Sequence, residues 1–216
     1  MRTRSASARP LAALPAEFYA RPVLEVAPQL VGCTVVHEGT AGVIVETEAY
    51  HHSEAACHAY VGLTARTSTL FGPPGIAYVY RSYGIHALLN AVCERPEVGA
   101  AVLIRAVEPM DGVAVMRARR GLEEPRGLCS GPGKLTGAFG ITLGDNGSDL
   151  VSGPIAINGR SQGWRDPAIA VDRRIGITRA VELPWRFCAA ESRFLSRPVS
   201  RRSAAADARS ARAAAA

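Results

Sequence analysis

The sequence predicts an α+β fold, a single domain with a curved, mainly antiparallel β-sheet flanked by helices. Three observations predict it. Many short runs rich in β-branched residues are separated by turn residues, helical stretches are few, and no internal repeat is visible. The length of 216 residues suits one domain that buries a real core without disulfides or metals. Hydrophobic content of 48% and charged content of 20% are ordinary for a globular chain.

The elements follow in order. A helix is expected from Ala16 to Gln29, with Phe18, Leu24 and Val26 among its apolar positions. Strands are expected at Cys33–His37, Ala41–Tyr50, Ile76–Ser82, Ile85–Val92 and Ala100–Val107. A helix over Met110–Arg120 and another opening at Pro132-Gly133-Lys134 come next. Further short strands are expected at Pro154–Asn158, Ile169–Arg173 and Trp185–Ala189.

The net charge of +6 belongs to the chain ends. Residues 1–10 carry three arginines and no acid, and residues 197–216 carry five arginines and one aspartate. These ends sum to +7, which leaves the remainder near −1. Segments 1–14 and 197–216, rich in Arg, Ala and Ser, are expected to be disordered basic tails around a domain spanning 15–196. No apolar run reaches the roughly 18 residues of a membrane span, and the short Leu11–Leu14 patch does not make a signal peptide. A cytoplasmic, nucleoid-associated protein is expected. The cysteines at 33, 57, 93, 129 and 188 are scattered, odd in number and never spaced CxxC, which points to reduced, buried thiols.

Chemistry concentrates in one region. Five of the six tyrosines lie between residues 50 and 83, beside the paired-carboxylate run Val45-Glu46-Thr47-Glu48-Ala49-Tyr50. Strand alternation puts Ile44, Glu46, Glu48 and Tyr50 on one face and Val43, Val45, Thr47 and Ala49 on the other. Two buried carboxylates so close repel, and one of them can be held as a poised base, whereas two solvated ones are an ordinary outer face. Flat aromatic faces beside a carboxylate suit a planar ring such as an extruded nucleobase. Tyr83-Gly84 sits where a hairpin turn favours Asn-Gly, so a tyrosine placed against turn chemistry suggests a protruding wedge; a side chain folded back on the sheet is the competing reading. Asn90 and Arg105 interrupt apolar strands, and a buried arginine needs an anionic partner, for which Glu46 and Glu48 are candidates. Lys134, the sole lysine, opens a helix after Ser130-Gly131-Pro132-Gly133, a turn that can seat a phosphate. His52-Ser53-Glu54 mimics half of a zinc deaminase signature, but the Pro-Cys-x-x-Cys half is absent. No metal or cofactor is expected.

With these residues in view, the chain resembles the 3-methyladenine (alkyladenine) DNA glycosylase family, of the type also found in mammals. The resemblance runs from about Pro15 to Arg193. It is carried by Val45–Tyr50, Phe71-Gly72-Pro73-Pro74-Gly75, Tyr78-Val79-Tyr80 through Tyr83-Gly84 to Asn90, Val102–Pro109, and Cys129–Leu135. The loop from Tyr50 to His58 is one residue shorter than the family usually has, and Val61–Thr67 is less basic. The resemblance implies a curved-sheet fold like the C-terminal module of formyltransferases. It implies Glu48 as the general base, Arg105 as its positioner, Tyr50, His58 and Tyr80 around the flipped purine, and Asn90 discriminating against normal guanine. Tyr83 would be the wedge, with Arg66, Lys134 and Arg174 as further DNA contacts. The implied activity is excision of alkylated or deaminated purines (3-methyladenine, 7-methylguanine, hypoxanthine, etheno-adenine) from double-stranded DNA by a monofunctional, monomeric enzyme. The alternatives are a glycosylase/lyase using Lys134, a non-catalytic minor-groove binder, and a formyltransferase-type module.

Overall fold

The computed structural model describes residues 11–200. Segments 1–10 and 201–216, which make up most of the expected tails, lie outside the described residues. The inner parts of both expected tails bond to the folded body. The Leu14 amide donates to the Ile157 carbonyl (2.8 Å), and the Ser200 amide donates to the Asp172 carboxylate (2.7 Å).

The helix expected over Ala16–Gln29 is two helices, α1 (Ala16–Tyr19) and α2 (Val23–Leu30). Pro22 divides them, because a proline has no N–H to donate and its ring forces the preceding residue out of the helical region. Pro22 then serves as the N-terminal cap of α2. Val23, Val26, Ala27 and Leu30 of α2 are buried, whereas Leu24, expected inside, is on the solvent side.

Strands β1 (Thr34–His37) and β2 (Thr40–His51) form a hairpin. Strands β3 (Ala77–Ser82) and β4 (His86–Val92) form a second, and β5 (Ala100–Asp111) follows. Helix α3 is Val113–Arg120, three residues shorter at its start than expected. The difference arises because β5 stays paired with β2 as far as Asp111 opposite Ala41. Gly112 then turns the chain at φ +70°, where any Cβ would overlap the Gly39 carbonyl oxygen. After α4 (Pro125–Leu128) and α5 (Pro132–Phe139) come the short strands β6 (Ala156–Asn158), β7 (Ile169–Asp172) and β8 (Arg186–Ala189).

All strands join one open antiparallel sheet ordered β3-β4-β5-β2-β1-β6, with β8 pairing β2 and β7. Long β2 is its centre: its first half pairs β1, its second half pairs β8, and β5 runs along the other side. Residues directly opposite in a ladder point to the same face. The register therefore lines up Tyr78, Asn90, Leu103, Glu48, Arg186 and Asp172 across six strands. The β2–β5 register shifts between Ile44 and Glu46 and again between Glu46 and Thr47. Such irregularities break strict alternation and re-aim side chains. Accordingly Ile44, expected beside the carboxylates, belongs to the main core with Val45 and Ala49. That core also takes in the buried faces of α2, α3 and α5. A smaller apolar cluster of Cys57, Leu70, Tyr78, Val92 and Ala101 supports the aromatic region. Among the described residues, no helix is long and apolar enough to cross a membrane.

Candidate active site

Glu46 and Glu48 are both fully buried, at 0% exposure, and that settles what composition left open. They are buried among different partners. Glu46 receives the Arg186 Nε–H (2.7 Å), the Ser196 amide (2.6 Å) and the Ser196 hydroxyl (2.8 Å), with Arg105 Nε at 3.1 Å. Its oxygens are saturated by short, partly charge-assisted bonds, as a structural carboxylate requires. Glu48 is held more loosely. The Tyr50 hydroxyl donates to Oε2 (2.8 Å) and the Ile175 amide to Oε1 (2.7 Å). Arg105 stands at 3.4 Å from Oε1 and 3.5 Å from Oε2. Burial pushes the Glu48 carboxyl above its ordinary pKa of 4.5 against the pull of Arg105, Ile175 and Tyr50, and Glu46 adds repulsion. A carboxylate in that condition is a stronger base than an exposed one.

The three groups that cover Glu48, namely Tyr50, Arg105 and Ile175, line a cavity of about 1000 Å³. His58, Tyr80 and Asn90 line it as well. His58 stands edge-on to Tyr80 at 4.5 Å, and its Nδ1 lies 3.1 Å from the Tyr78 hydroxyl. The shortened loop therefore still delivers His58 to the aromatic cluster. Burial and the Arg66 charge hold the His58 imidazole below its ordinary pKa, so it is neutral at pH 7. The loop bearing His58 docks at Gly99, where a Cβ would overlap Ala59 and crowd Phe71. Burial holds Tyr80 up at about 12, and burial with the Glu48 charge keeps Tyr50 protonated too. The aromatic side chains of the wall, Tyr50, His58 and Tyr80, are thus flat and uncharged, suited to a planar ring. The Asn90 Nδ2 donates to the Tyr78 carbonyl (3.0 Å), which pins the amide in place.

At the mouth, Tyr83 and Gly84 both take positive φ (+49° and +73°), and the Ile85 amide donates to the Ser82 carbonyl (3.1 Å). Tyr83 is 86% exposed, so it protrudes and does not fold back on the sheet. A non-glycine residue held there is strained, and such strain concentrates at functional positions. Arg66, Arg81, Arg120, Lys134 and Arg179 line the same cavity, and among the described residues no acidic side chain does. That gives the neutral body a local basic face.

Arg174 is a correction. Expected at a DNA surface, it is 5% exposed and makes a bidentate pair with Glu54 (2.6 and 2.9 Å) while donating to the Ala49 carbonyl (3.0 Å). Its guanidinium lies over Tyr50 (4.7 Å) and Trp185 (5.2 Å). Charge alone reads as exposure, and the buried Glu54 partner reverses that reading. Glu54, the acid of the half zinc signature, is thereby accounted for as an ion-pair partner. Sequence reasoning missed Arg186 and Asp172, which strand register brings to the site, and Ile175 and Ser196, which reach it from segments outside the strands.

A buried carboxylate beneath an aromatic cavity, with an exposed tyrosine and a basic rim at its mouth, suits an enzyme that works on a planar ring of a nucleic acid. Comparison with known proteins gives the same class. The family model for methylpurine-DNA glycosylase (MPG) matches residues 17–193. Relatives named "Putative 3-methyladenine DNA glycosylase" include one from Rhodopseudomonas palustris (strain ATCC BAA-98 / CGA009), 56% identical over 184 residues, covering 85% of this chain and 88% of the relative. One from Bradyrhizobium diazoefficiens is 55% identical over 181 residues, covering 84% and 89%. One from Methanoculleus marisnigri is 47% identical over 196 residues, covering 85% and 98%. The chain belongs to the methylpurine-DNA glycosylase family. It is a DNA glycosylase of base excision repair, a hydrolase acting on N-glycosyl bonds. The formyltransferase-type module and the non-catalytic binder are set aside by that membership.

Proposed function

We propose that this protein excises alkylated and deaminated purines from double-stranded DNA: 3-methyladenine, 7-methylguanine, hypoxanthine and etheno-adenine. It acts as a monomer at the nucleoid and stops at the abasic site. The observation that carries this reading is the position of Glu48, hydrogen-bonded to two groups of the aromatic cavity wall and held above its ordinary pKa.

Tyr83 fills the gap left in the duplex while the damaged nucleotide turns into the cavity. Tyr50, His58 and Tyr80 hold the ring, and Asn90, unable to rotate aside, meets the exocyclic amine of normal guanine. Glu48 takes a proton from water reaching it past Tyr50 and Arg105, and the carboxylate also steadies the positive charge developing on the sugar. Water attacks the anomeric carbon, the C–N bond breaks, and the purine leaves with the bonding pair. An alkylated purine already carries positive charge and leaves readily, whereas hypoxanthine needs protonation as it departs. General-base assistance is worth about 10²–10⁴-fold. Arg66 and Lys134 on the rim contact phosphates.

The test is release of hypoxanthine and methylated purines from duplexes, wild type against Glu48→Gln, with EDTA present. The expected result is release by the wild type alone. Release by Glu48→Gln at the wild-type rate would end this mechanism. A borohydride-trapped covalent adduct that disappears in Lys134→Arg would replace it with a lyase.

A further inference from the structure

The segment after β8 returns across the sheet and fastens to the buried charges beneath the cavity. Phe194 is buried, the Arg197 carbonyl accepts from Arg186 Nη2 (2.6 Å), and the Ser200 amide and hydroxyl donate to Asp172 (2.7 and 3.0 Å). Ser196 lies between these anchors and meets Arg105.

Its hydroxyl has one hydrogen to give and lone pairs to receive, and both functions are used. It donates to Glu46 Oε1 (2.8 Å) and accepts the Nε–H of Arg105 (3.1 Å). Its own amide donates to Glu46 Oε2 (2.6 Å). Arg105 has a single Nε–H and two carboxylates within reach, Glu46 at 3.1 Å and Glu48 at 3.4 Å. Coulomb attraction favours the nearer one. The serine takes that hydrogen, which fixes the guanidinium plane and leaves Nη1 directed at Glu48 Oε2 (3.5 Å).

We infer that Ser196 is a positioning residue of the glycosylase reaction, keeping Arg105 shared with Glu48 so that it does not collapse onto Glu46. The inference rests on the proposal that Glu48 is the base. Without the hydroxyl, Glu46 loses one donor and draws Arg105 toward itself. Glu48 then loses part of the positive charge that favours its ionised form. The charged and titratable groups facing Glu48 are Arg105, Glu46, Tyr50, Tyr80, Arg174 and Cys188. Of these only Arg105 and Glu46 touch the serine side chain.

The experiment measures single-turnover release of methylated purines from dimethyl-sulfate-treated duplex DNA between pH 5 and pH 9. It uses the full chain as wild type, Ser196→Ala, Ser196→Thr and Glu48→Gln, with DNA affinity and melting temperature measured in parallel. For Ser196→Ala the expected result is a rising acid limb moved to higher pH. Each unit of that movement is about a tenfold loss on the acid side that closes at alkaline pH. DNA affinity stays at the wild-type value, and Ser196→Thr, which keeps the hydroxyl, restores the profile. The same fold loss at every pH, or no loss at all, overturns the inference. If Ser196→Ala does not fold, Ser196→Cys keeps the volume with a weak hydrogen-bonding group and is read by the same criterion. An active Glu48→Gln overturns the parent mechanism instead. An inactive Glu48→Gln with an unmoved Ser196→Ala profile overturns only the role of Ser196.

Discussion

Replacing Tyr83 by asparagine should move stability and activity in opposite directions. Tyr83 sits at φ +49° and is 86% exposed, so its side chain gives the free protein strain and almost no packing. Left-handed backbone costs an ordinary residue about 1–2 kcal/mol, and asparagine tolerates it. Relief of about 1 kcal/mol raises the melting temperature of a chain of this size by about 2–4 °C. On DNA the same substitution removes an aromatic face from the gap beside the extruded base. Base–aromatic stacking is worth about 1–3 kcal/mol, a factor of about 5 to 150 in rate or affinity. The assay compares wild type and Tyr83→Asn on one lesion presented in duplex and in single-stranded DNA, with thermal unfolding of the free proteins alongside. Activity on the duplex should fall by that factor, while activity on the single strand, which has no gap to fill, should hold. Equal losses on both substrates would refute the wedge, and a lower melting temperature would refute the strain.

Arg174→Met should destabilise the fold by about 3–5 kcal/mol by stranding the buried Glu54 carboxylate, and Arg174→Met with Glu54→Leu should regain most of that. Urea unfolding of the single and double variants checks this. Glu48→Gln should melt at a higher temperature than wild type at neutral pH. The folded pKa of Glu48 is raised, so its contribution to stability is present below its ordinary 4.5 and is lost as pH rises through the raised value. The advantage of the variant should therefore vanish in scanning calorimetry below that pH. Asn90→Ala should begin to release undamaged guanine slowly, measured as free base from unmodified duplex, because the pinned amide no longer meets the 2-amino group.

Much of the site was legible along the chain because its signals are local. The Val45–Tyr50 run, the aromatic pair at Tyr78 and Tyr80, and a tyrosine in place of a turn asparagine lie within short stretches whose strand period and turn chemistry are fixed by neighbouring residues. Element types held for the same reason. The failures also have local causes: Pro22 divided a helix that apolar spacing joined, and the register shift at Ile44–Glu46 broke an alternation taken as regular. Arg174 misled because a charge tells nothing of its burial until its partner is known.

The sequence by itself determined the α+β class, the carboxylate strand, the aromatic cluster and the protruding turn. The residue pattern left the two glutamates equivalent and the family resemblance pointed to Glu48; the tertiary structure supplies the physical difference, a saturated Glu46 and a less fully bonded Glu48. That difference depends on Arg186, Ser196 and Ile175, which lie more than 120 residues away along the chain. Strand period and turn preference act between near neighbours. Desolvation and the sharing of hydrogen-bond donors depend on distance in space, and strand register and chain return set those distances.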